Sequence, residues 1–205
     1  VLLARGARRA HYDAAVEHWQ QALELNPNYW EAHNNLGLVL HAQGQLADAV
    51  AAYEKALALD SNLISSAAHL TRLRAEAGDT AKAYNEAVDL VKRRPENAQA
   101  HFTLAYVLRY AGPLHDAAKE CDVALALDPG NYDFRSCSFV FFELGNTNRA
   151  LEYVHLDSGS DWAASVLPAI AVQSIMLQLL GPIDSLETFS GREALPRFDF
   201  DKRED

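Results

Sequence analysis

Cysteine is scarce in this chain: of its 205 residues, only Cys121 and Cys137 carry a thiol. Two cysteines are too few for a disulfide framework or for a zinc site built from thiolates. We therefore expect two free thiols and a reducing, cytoplasmic environment, with the periplasm as the alternative location. Cys121 is expected to be an inert, buried thiol.

Positive charge and chain-breaking residues are also limited. The sequence has 18 Lys and Arg against 28 Asp and Glu, which gives a net charge of −10. An acidic chain is repelled by phosphate backbones, so nucleic acid is not an expected partner. With 7 prolines, 10 glycines and 49% apolar residues, the composition favours a folded, helix-rich protein.

Known catalytic motifs are missing from the sequence. It contains no Gly-x-Gly-x-x-Gly segment, no P-loop, no His-Glu-x-x-His and no Cys-x-x-Cys. Eight histidines are present, but His11, His18, His115 and His155 have no partner at metal-ligand spacing. We therefore predict a non-catalytic protein that requires no cofactor and no metal.

A period of 34 residues organises most of the sequence. Each unit is marked by an alanine, a glycine and a residue at its end that is usually proline. The marks are Ala15, Ala49, Ala83 and Ala117; Gly44, Gly78 and Gly112; and Pro27, Ser61, Pro95 and Pro129. Gly145 and Ala150 continue the pattern at a spacing of 33 residues.

These marks have physical roles in a pair of helices. The small alanine lets two helices cross closely, the glycine ends the first helix, and the proline stops the second. Apolar residues between the marks have helical spacing. The predicted pairs are 30–43 with 46–59, 64–77 with 80–93, 98–111 with 114–127, and 132–144 with 147–155, preceded by one helix at about 12–25.

The period and the helix–turn–helix unit resemble the tetratricopeptide repeat (TPR). Gly37, Gly44, Ala49 and Tyr53 follow the family pattern, whereas His33 replaces a Trp and Leu40 replaces a Tyr. The resemblance implies an all-α fold, a right-handed superhelix of antiparallel helix pairs. It divides the chain into TPR-like repeats at 1–157 (1–29 partial, 30–63, 64–97, 98–131, and 132–157 degenerate), a helical extension at 158–183 and an acidic tail at 184–205.

Two histidines share the position of the family's Trp, namely His33 and His101. We expect both to pack between helices rather than to bind a metal. The first repeat keeps only its second half, and Leu2, Leu3 and Ala4 look like the end of a helix whose start is missing. A repeat needs a neighbour or a cap over its apolar face, so we expect the sequence to be a segment of a longer protein.

The region from Trp162 to Ile183 carries no charge over 22 residues. Its prolines, Pro168 and Pro182, and the missing flanking Lys and Arg favour a buried helix or helix pair over a membrane span. Asp161 or Ser160 is expected to cap it. The side chains expected to contact the preceding pair are Val166, Leu167, Ile170, Ile175, Met176, Leu179 and Leu180.

The resemblance also implies a place for a ligand, because the family usually binds partners in the concave groove lined by the first helix of each pair. Aromatic residues beside an arginine are typical of peptide hot spots. We therefore predict a protein or peptide partner; no oligomeric state is predicted. The implied groove residues are Asn34, Leu38, His41, Arg72, Glu76, Phe102, Tyr106, Arg109 and Tyr110. In the alternative interpretation, Phe102 and Tyr106 only pack against the neighbouring unit.

More specific resemblances compete with this interpretation. The clamp that holds chaperone tails needs lysines that are missing here, and the asparagine ladder of O-linked glycosyltransferases finds Asn35 but then His69, Thr103 and Cys137. Residues 127–164 are loosely similar to repeat arrays appended to bacterial serine/threonine protein kinases. No kinase signature lies in the sequence, so this alternative makes the chain a regulatory or sensor region of a larger enzyme.

Overall fold

The computed structural model describes the backbone of residues 2–180 and the side chains of residues 11–178. Within these limits the chain is all-α and has no strand. The helices are α1 Leu2–Leu25, α2 Trp30–Ala42, α3 Leu46–Leu59, α4 Ile64–Glu76, α5 Thr80–Arg93, α6 Ala98–Ala111, α7 Leu114–Leu127, α8 Cys137–Glu143, α9 Thr147–Val154 and α10 Asp161–Leu180, with 3₁₀ segments at Tyr132–Ser136 and His155–Asp157. The predicted acidic tail lies outside the described residues.

The helices form antiparallel pairs that stack into a right-handed superhelix, as the resemblance implies. Helix α2 packs on α3, α4 on α5, α6 on α7 and α8 on α9, and each pair contacts the next. The first helices α2, α4, α6 and α8 also contact one another in succession, so they form a continuous inner face. At the turns within the first three pairs, Gly44, Gly78 and Gly112 have positive φ, the conformation that glycine adopts at least cost.

Packing between the two helices of a pair depends on matched sizes at two positions. In the first pair, Gly37 of α2 lies against the buried ring of Tyr53 on α3, and a Cβ on Gly37 would come 2.7 Å from Tyr53 Cε1. The corresponding residues are Thr71 and Ala87 in the next pair, and Ala105 and Cys121 in the third. Among these three pairs, the large aromatic Tyr53 therefore lies opposite the residue without a side chain, Gly37.

Both histidines at the family's Trp position bind the carbonyl of the proline six residues earlier. His33 Nε2 lies 2.9 Å from Pro27 O, and His101 Nε2 lies 2.8 Å from Pro95 O. His101 is buried, and its Nδ1 lies 2.6 Å from Glu120 Oε2 on α7. These contacts join the start of each of the two pairs to the end of the one before it.

The expectation of two free thiols is wrong. Cys121 on α7 and Cys137, the first residue of α8, form a disulfide, and both residues are buried. Sequence separation gave no sign of this pairing because the two cysteines lie in different repeats. The superhelix brings them together by stacking α8 against α7.

The structure also differs from the sequence prediction at both ends of the repeats. Leu2, Leu3 and Ala4 belong to the same continuous helix as residues 12–25 rather than to a separate first helix. A single glycine at position 6 does not break it, since glycine inside a helix costs only about 1 kcal/mol. The predicted helix at 132–144 is instead a 3₁₀ segment followed by the short α8.

Helix α10 is partly exposed, contrary to expectation. Val166 and Ile170 are buried, but Leu167, Ile175 and Met176 are exposed; the side chains of Leu179 and Leu180 lie outside the described residues. Helix α9 has 8 residues and α10 has 20, which at 1.5 Å per residue makes them about 12 Å and about 30 Å long. Helix α9 is therefore too short to cover the whole length of α10. Ser160 caps α10, because its Oγ accepts the Ala163 N–H at 3.0 Å.

Across residues 2–180, no helix is both long enough and apolar enough to span a membrane. The described part of the uncharged stretch, residues 162–180, lies in helix α10, which contacts α9.

A first prediction follows from the contact between Gly37 and Tyr53. Gly37→Ala should lower the free energy of unfolding by about 1–3 kcal/mol, because the new methyl group overpacks a buried ring. Chemical denaturation measures the change. Adding Tyr53→Leu should remove much of the penalty in a double-mutant cycle, and strictly additive effects would contradict the contact.

A second prediction concerns Leu104, which is 8% exposed in the core beneath α6. Leu104→Ala should destabilise the chain by ~2–5 kcal/mol through loss of buried contacts. Leu38→Ala is the matched control, because Leu38 is 37% exposed on the equivalent helix α2. An unchanged denaturation midpoint for Leu104→Ala would show that the assigned helix register is wrong.

Candidate peptide-binding groove

A connected series of side chains crosses the inner face from α2 to α8. We call it the inner strip, and it consists of His41, Arg72, Glu76, Tyr106, Arg109, Tyr110 and Glu143. His41 Nε2 lies 3.7 Å from Glu76 Oε2, and the Tyr106 hydroxyl donates to Glu76 Oε1 at 2.7 Å. The hydroxyls of Tyr106 and Tyr110 are 3.4 Å apart.

At the α8 end of the strip, Arg109 of α6 contacts side chains of both α6 and α8. Arg109 Nε donates to Glu143 Oε1 at 2.7 Å. The Arg109 guanidinium also lies 4.9 Å above the Phe139 ring and 5.7 Å from the Tyr110 ring. A charged hydrogen bond and two ring contacts therefore fix Arg109 in one place.

Arg72 lies near the middle of the strip on an aromatic platform. Its guanidinium is 5.3 Å from the Phe102 ring and 5.7 Å from the Tyr106 ring. One of its N–H groups donates to His69 Nδ1 at 2.5 Å. Among the described residues, no carboxylate lies within ion-pair distance of Arg72, unlike Arg109. The remaining donors of Arg72 therefore have capacity for a ligand.

The charge state of Glu76 is set by two opposing influences. Burial raises the pKa of this carboxyl, but the contact with His41, the hydrogen bond from Tyr106 and the nearby charge of Arg72 outweigh it and hold the pKa below its ordinary value. Glu76 is therefore ionised near neutral pH. Stability from this lowered pKa is present above the unfolded-state pKa and is lost as the pH falls through the folded-state value.

His69 supports the strip as a neutral side chain. Burial, and then the positive charges of Arg72 and His41, lower its pKa to about 3. Its ring stacks on Tyr53 with centroids 5.3 Å apart. Because Nδ1 accepts from Arg72, the remaining ring proton is on Nε2. A hollow of about 270 Å³ opens beside this ring, lined by Ile64, Ser65, His69, Asn97, Gln99 and Asp133.

The structure brings six of the nine residues implied for the groove into the strip. Asn34 and Leu38 lie on α2 at the N-terminal end of the same face, and Asn34 Oδ1 accepts hydrogen bonds from Ser65 and Ser66. Phe102 is 1% exposed, so it supports Arg72 and Tyr106 from below and presents almost no surface to a ligand.

Sequence reasoning missed Glu143, Phe139 and the role of His69. Glu143 and Phe139 lie in the degenerate repeat, where the irregular spacing hid their register. Their shared helix α8 was predicted as part of a longer helix. His69 was considered only as a missing rung of an asparagine ladder, and its contact with Arg72 one helical turn away was detectable from the i, i+3 spacing. No cluster of metal-binding side chains occurs in the described part of the chain.

The geometry makes a prediction about the pKa of Glu76. Tyr106→Phe removes one donor to the carboxylate, so the pKa of Glu76 should rise. A carboxyl ¹³C titration by NMR measures this pKa. Tyr84→Phe, on the exposed surface of α5, is the control and should leave the pKa unchanged. An unaltered Glu76 pKa in Tyr106→Phe would contradict the hydrogen bond.

Comparison with known structures places the fold among repeat proteins. The fold is similar to TTC0263, a thermophilic TPR protein of Thermus thermophilus, with a TM-score of 0.67 and 20% identity over 85% of this chain and 96% of that one. It is also similar to MamA of Desulfovibrio magneticus RS-1, with a TM-score of 0.53 and 19% identity over 77% and 92% of the two chains. At these identities the likeness shows the fold alone.

Sequence comparisons identify the family. A curated relative, the small glutamine-rich tetratricopeptide repeat-containing protein 2 of Saccharomyces cerevisiae, is 26% identical over 88 residues, which are 43% of this chain and 24% of that protein. Residues 11–44 match a TPR repeat profile, and residues 30–63 and 70–132 match tetratricopeptide repeat profiles. Together the three matches cover more than half of the chain, which therefore belongs to the tetratricopeptide repeat family, whose members are protein-interaction scaffolds.

Proposed function

We propose that the chain is a non-catalytic scaffold that binds a peptide, or an exposed segment of a partner protein, along the inner strip. The observation that carries the proposal is the continuity of the strip. Side chains from α2, α4, α6 and α8 contact one another in series, so one extended segment crossing the superhelix meets all four helices.

The chemistry of the strip suits a peptide. Tyr106 and Tyr110 are half-buried aromatic side chains that carry a polar hydroxyl, a type enriched in binding hot spots. Arg72 has donors available for a backbone carbonyl or an acidic side chain. Neighbouring side chains already hold Tyr106, Tyr110 and Arg72 in place, so binding a peptide requires little further ordering of side chains.

The interpretation as a regulatory region of a larger enzyme, a bacterial serine/threonine kinase or a glycosyltransferase, stays a prediction. A binding strip would serve either a free adaptor or such a region, so the proposal about the strip holds for both.

The test uses peptides selected from a random phage-displayed library on the wild-type chain. Their affinities are then measured by calorimetry for the wild type and for Tyr106→Ala with Arg109→Ala. The double variant should bind roughly thirtyfold more weakly or worse, since hot-spot truncations cost about 2 kcal/mol or more. Circular dichroism should show that its helicity is retained.

The matched control removes the same residue types from the outer surface. Tyr84→Ala with Arg93→Ala changes one tyrosine and one arginine on α5, both exposed, and should leave peptide affinity unchanged. Equal binding by the two double variants, or failure to select any peptide that depends on the strip, would overturn the proposal.

A further inference from the structure

The disulfide between α7 and α8 joins two successive helix pairs of the superhelix. Cys121 is 0% exposed and Cys137 is 2% exposed. The other residues that α7 buries are Ala117 and Ala124, both small. The position of Cys121 corresponds to Tyr53 of α3, where an aromatic ring fills the space between helices. Helix α7 therefore provides no large buried side chain of its own.

The helix on the other side of this junction is short. Helix α8 has 7 residues, whereas α2, α4 and α6 have 13 or 14. A helix of this length has little intrinsic stability and depends on its packing. Five of its seven residues are buried, and the disulfide at its first residue adds a covalent link to α7.

The same short helix supplies one end of the inner strip. Two residues beyond Cys137, Phe139 lies beneath Arg109, and six residues beyond it, Glu143 accepts the Arg109 hydrogen bond. Cys137, Phe139 and Glu143 all belong to α8. The disulfide thus fixes the helix that holds Arg109 in place.

We propose that Cys121–Cys137 is a structural disulfide that holds α8 and its end of the inner strip, and that the chain matures in an oxidising compartment. This replaces the expectation of a cytoplasmic location. Disulfides persist in secreted, periplasmic and ER-lumenal proteins and are rare where thiols are kept reduced. Because both sulfurs are buried, an attacking thiolate reaches them only after local opening, so the bond is not suited to rapid switching.

Formation of the bond requires an external oxidant of the disulfide class. The two cysteine thiols lose two protons and two electrons as the S–S bond forms, and the oxidant's own disulfide takes them up and becomes two thiols. An oxidising compartment supplies such a reagent through a thiol oxidoreductase or an oxidised small thiol. The partner would then lie in the same compartment, a step that rests on the proposed function.

The redox state can be read directly in the cells that make the protein. Free thiols are blocked with N-ethylmaleimide at lysis, and the protein is digested with trypsin without reduction. Cleavage after Lys119, Arg135 and Arg149 yields peptides 120–135 and 136–149, each with one cysteine. Mass spectrometry should find them joined as one species that separates on reduction. Two peptides each carrying N-ethylmaleimide would overturn the assignment of compartment.

A second measurement tests the role of the bond in holding α8. Hydrogen exchange of residues 137–143 should accelerate on reduction with dithiothreitol, on the order of a hundredfold, which corresponds to the closure entropy of a loop of about 15 residues. Exchange in α2 to α5 should not change. Cys121→Ala with Cys137→Ala should show the fast exchange already, with no further response to dithiothreitol. Equal protection of α8 in the wild type and in the doubly substituted variant would refute the role.

Discussion

The close crossing of two helices at a buried alanine is the contact on which the rest of this structure depends. Ala49, Ala83, Ala117 and Ala150 are each fully buried, one on the second helix of every pair. At such a crossing a larger side chain would separate the helices. The spacing of these alanines sets the stacking of the pairs, and the stacking turns four separate first helices into one inner face.

That face carries the proposed binding surface. Each first helix contributes only a few polar or aromatic residues, and no single repeat contains a site. Stacking places Glu76 of α4 beside Tyr106 of α6, and Arg109 of α6 beside Glu143 of α8. The contacts between repeats therefore have two roles. They hold neighbouring helix pairs in register, and they fix the side chains that a peptide would contact.

The fold could be predicted from the sequence because its marks repeat. An alanine, a glycine and a proline at a constant period identify the helix pairs and their order, and most of the groove residues follow from the register. Features that occur once could not be predicted this way. The disulfide joins Cys121 to a residue in the irregular repeat, and Glu143 lies on a helix whose shortness the pattern did not reveal. The exposure of part of α10 could not be predicted either, because it depends on the shortness of α9, which the repeat period does not reveal.

The most direct test of the account is a map of where a selected peptide contacts the protein. Amide chemical shifts are recorded by NMR while a phage-selected peptide is added to the wild-type chain. We expect the shifts that move to lie on α2, α4, α6 and α8, in residues around His41, Arg72, Tyr106 and Glu143. Movement confined to the outer helices α3, α5 and α7 would contradict the claim that the inner strip is the binding surface.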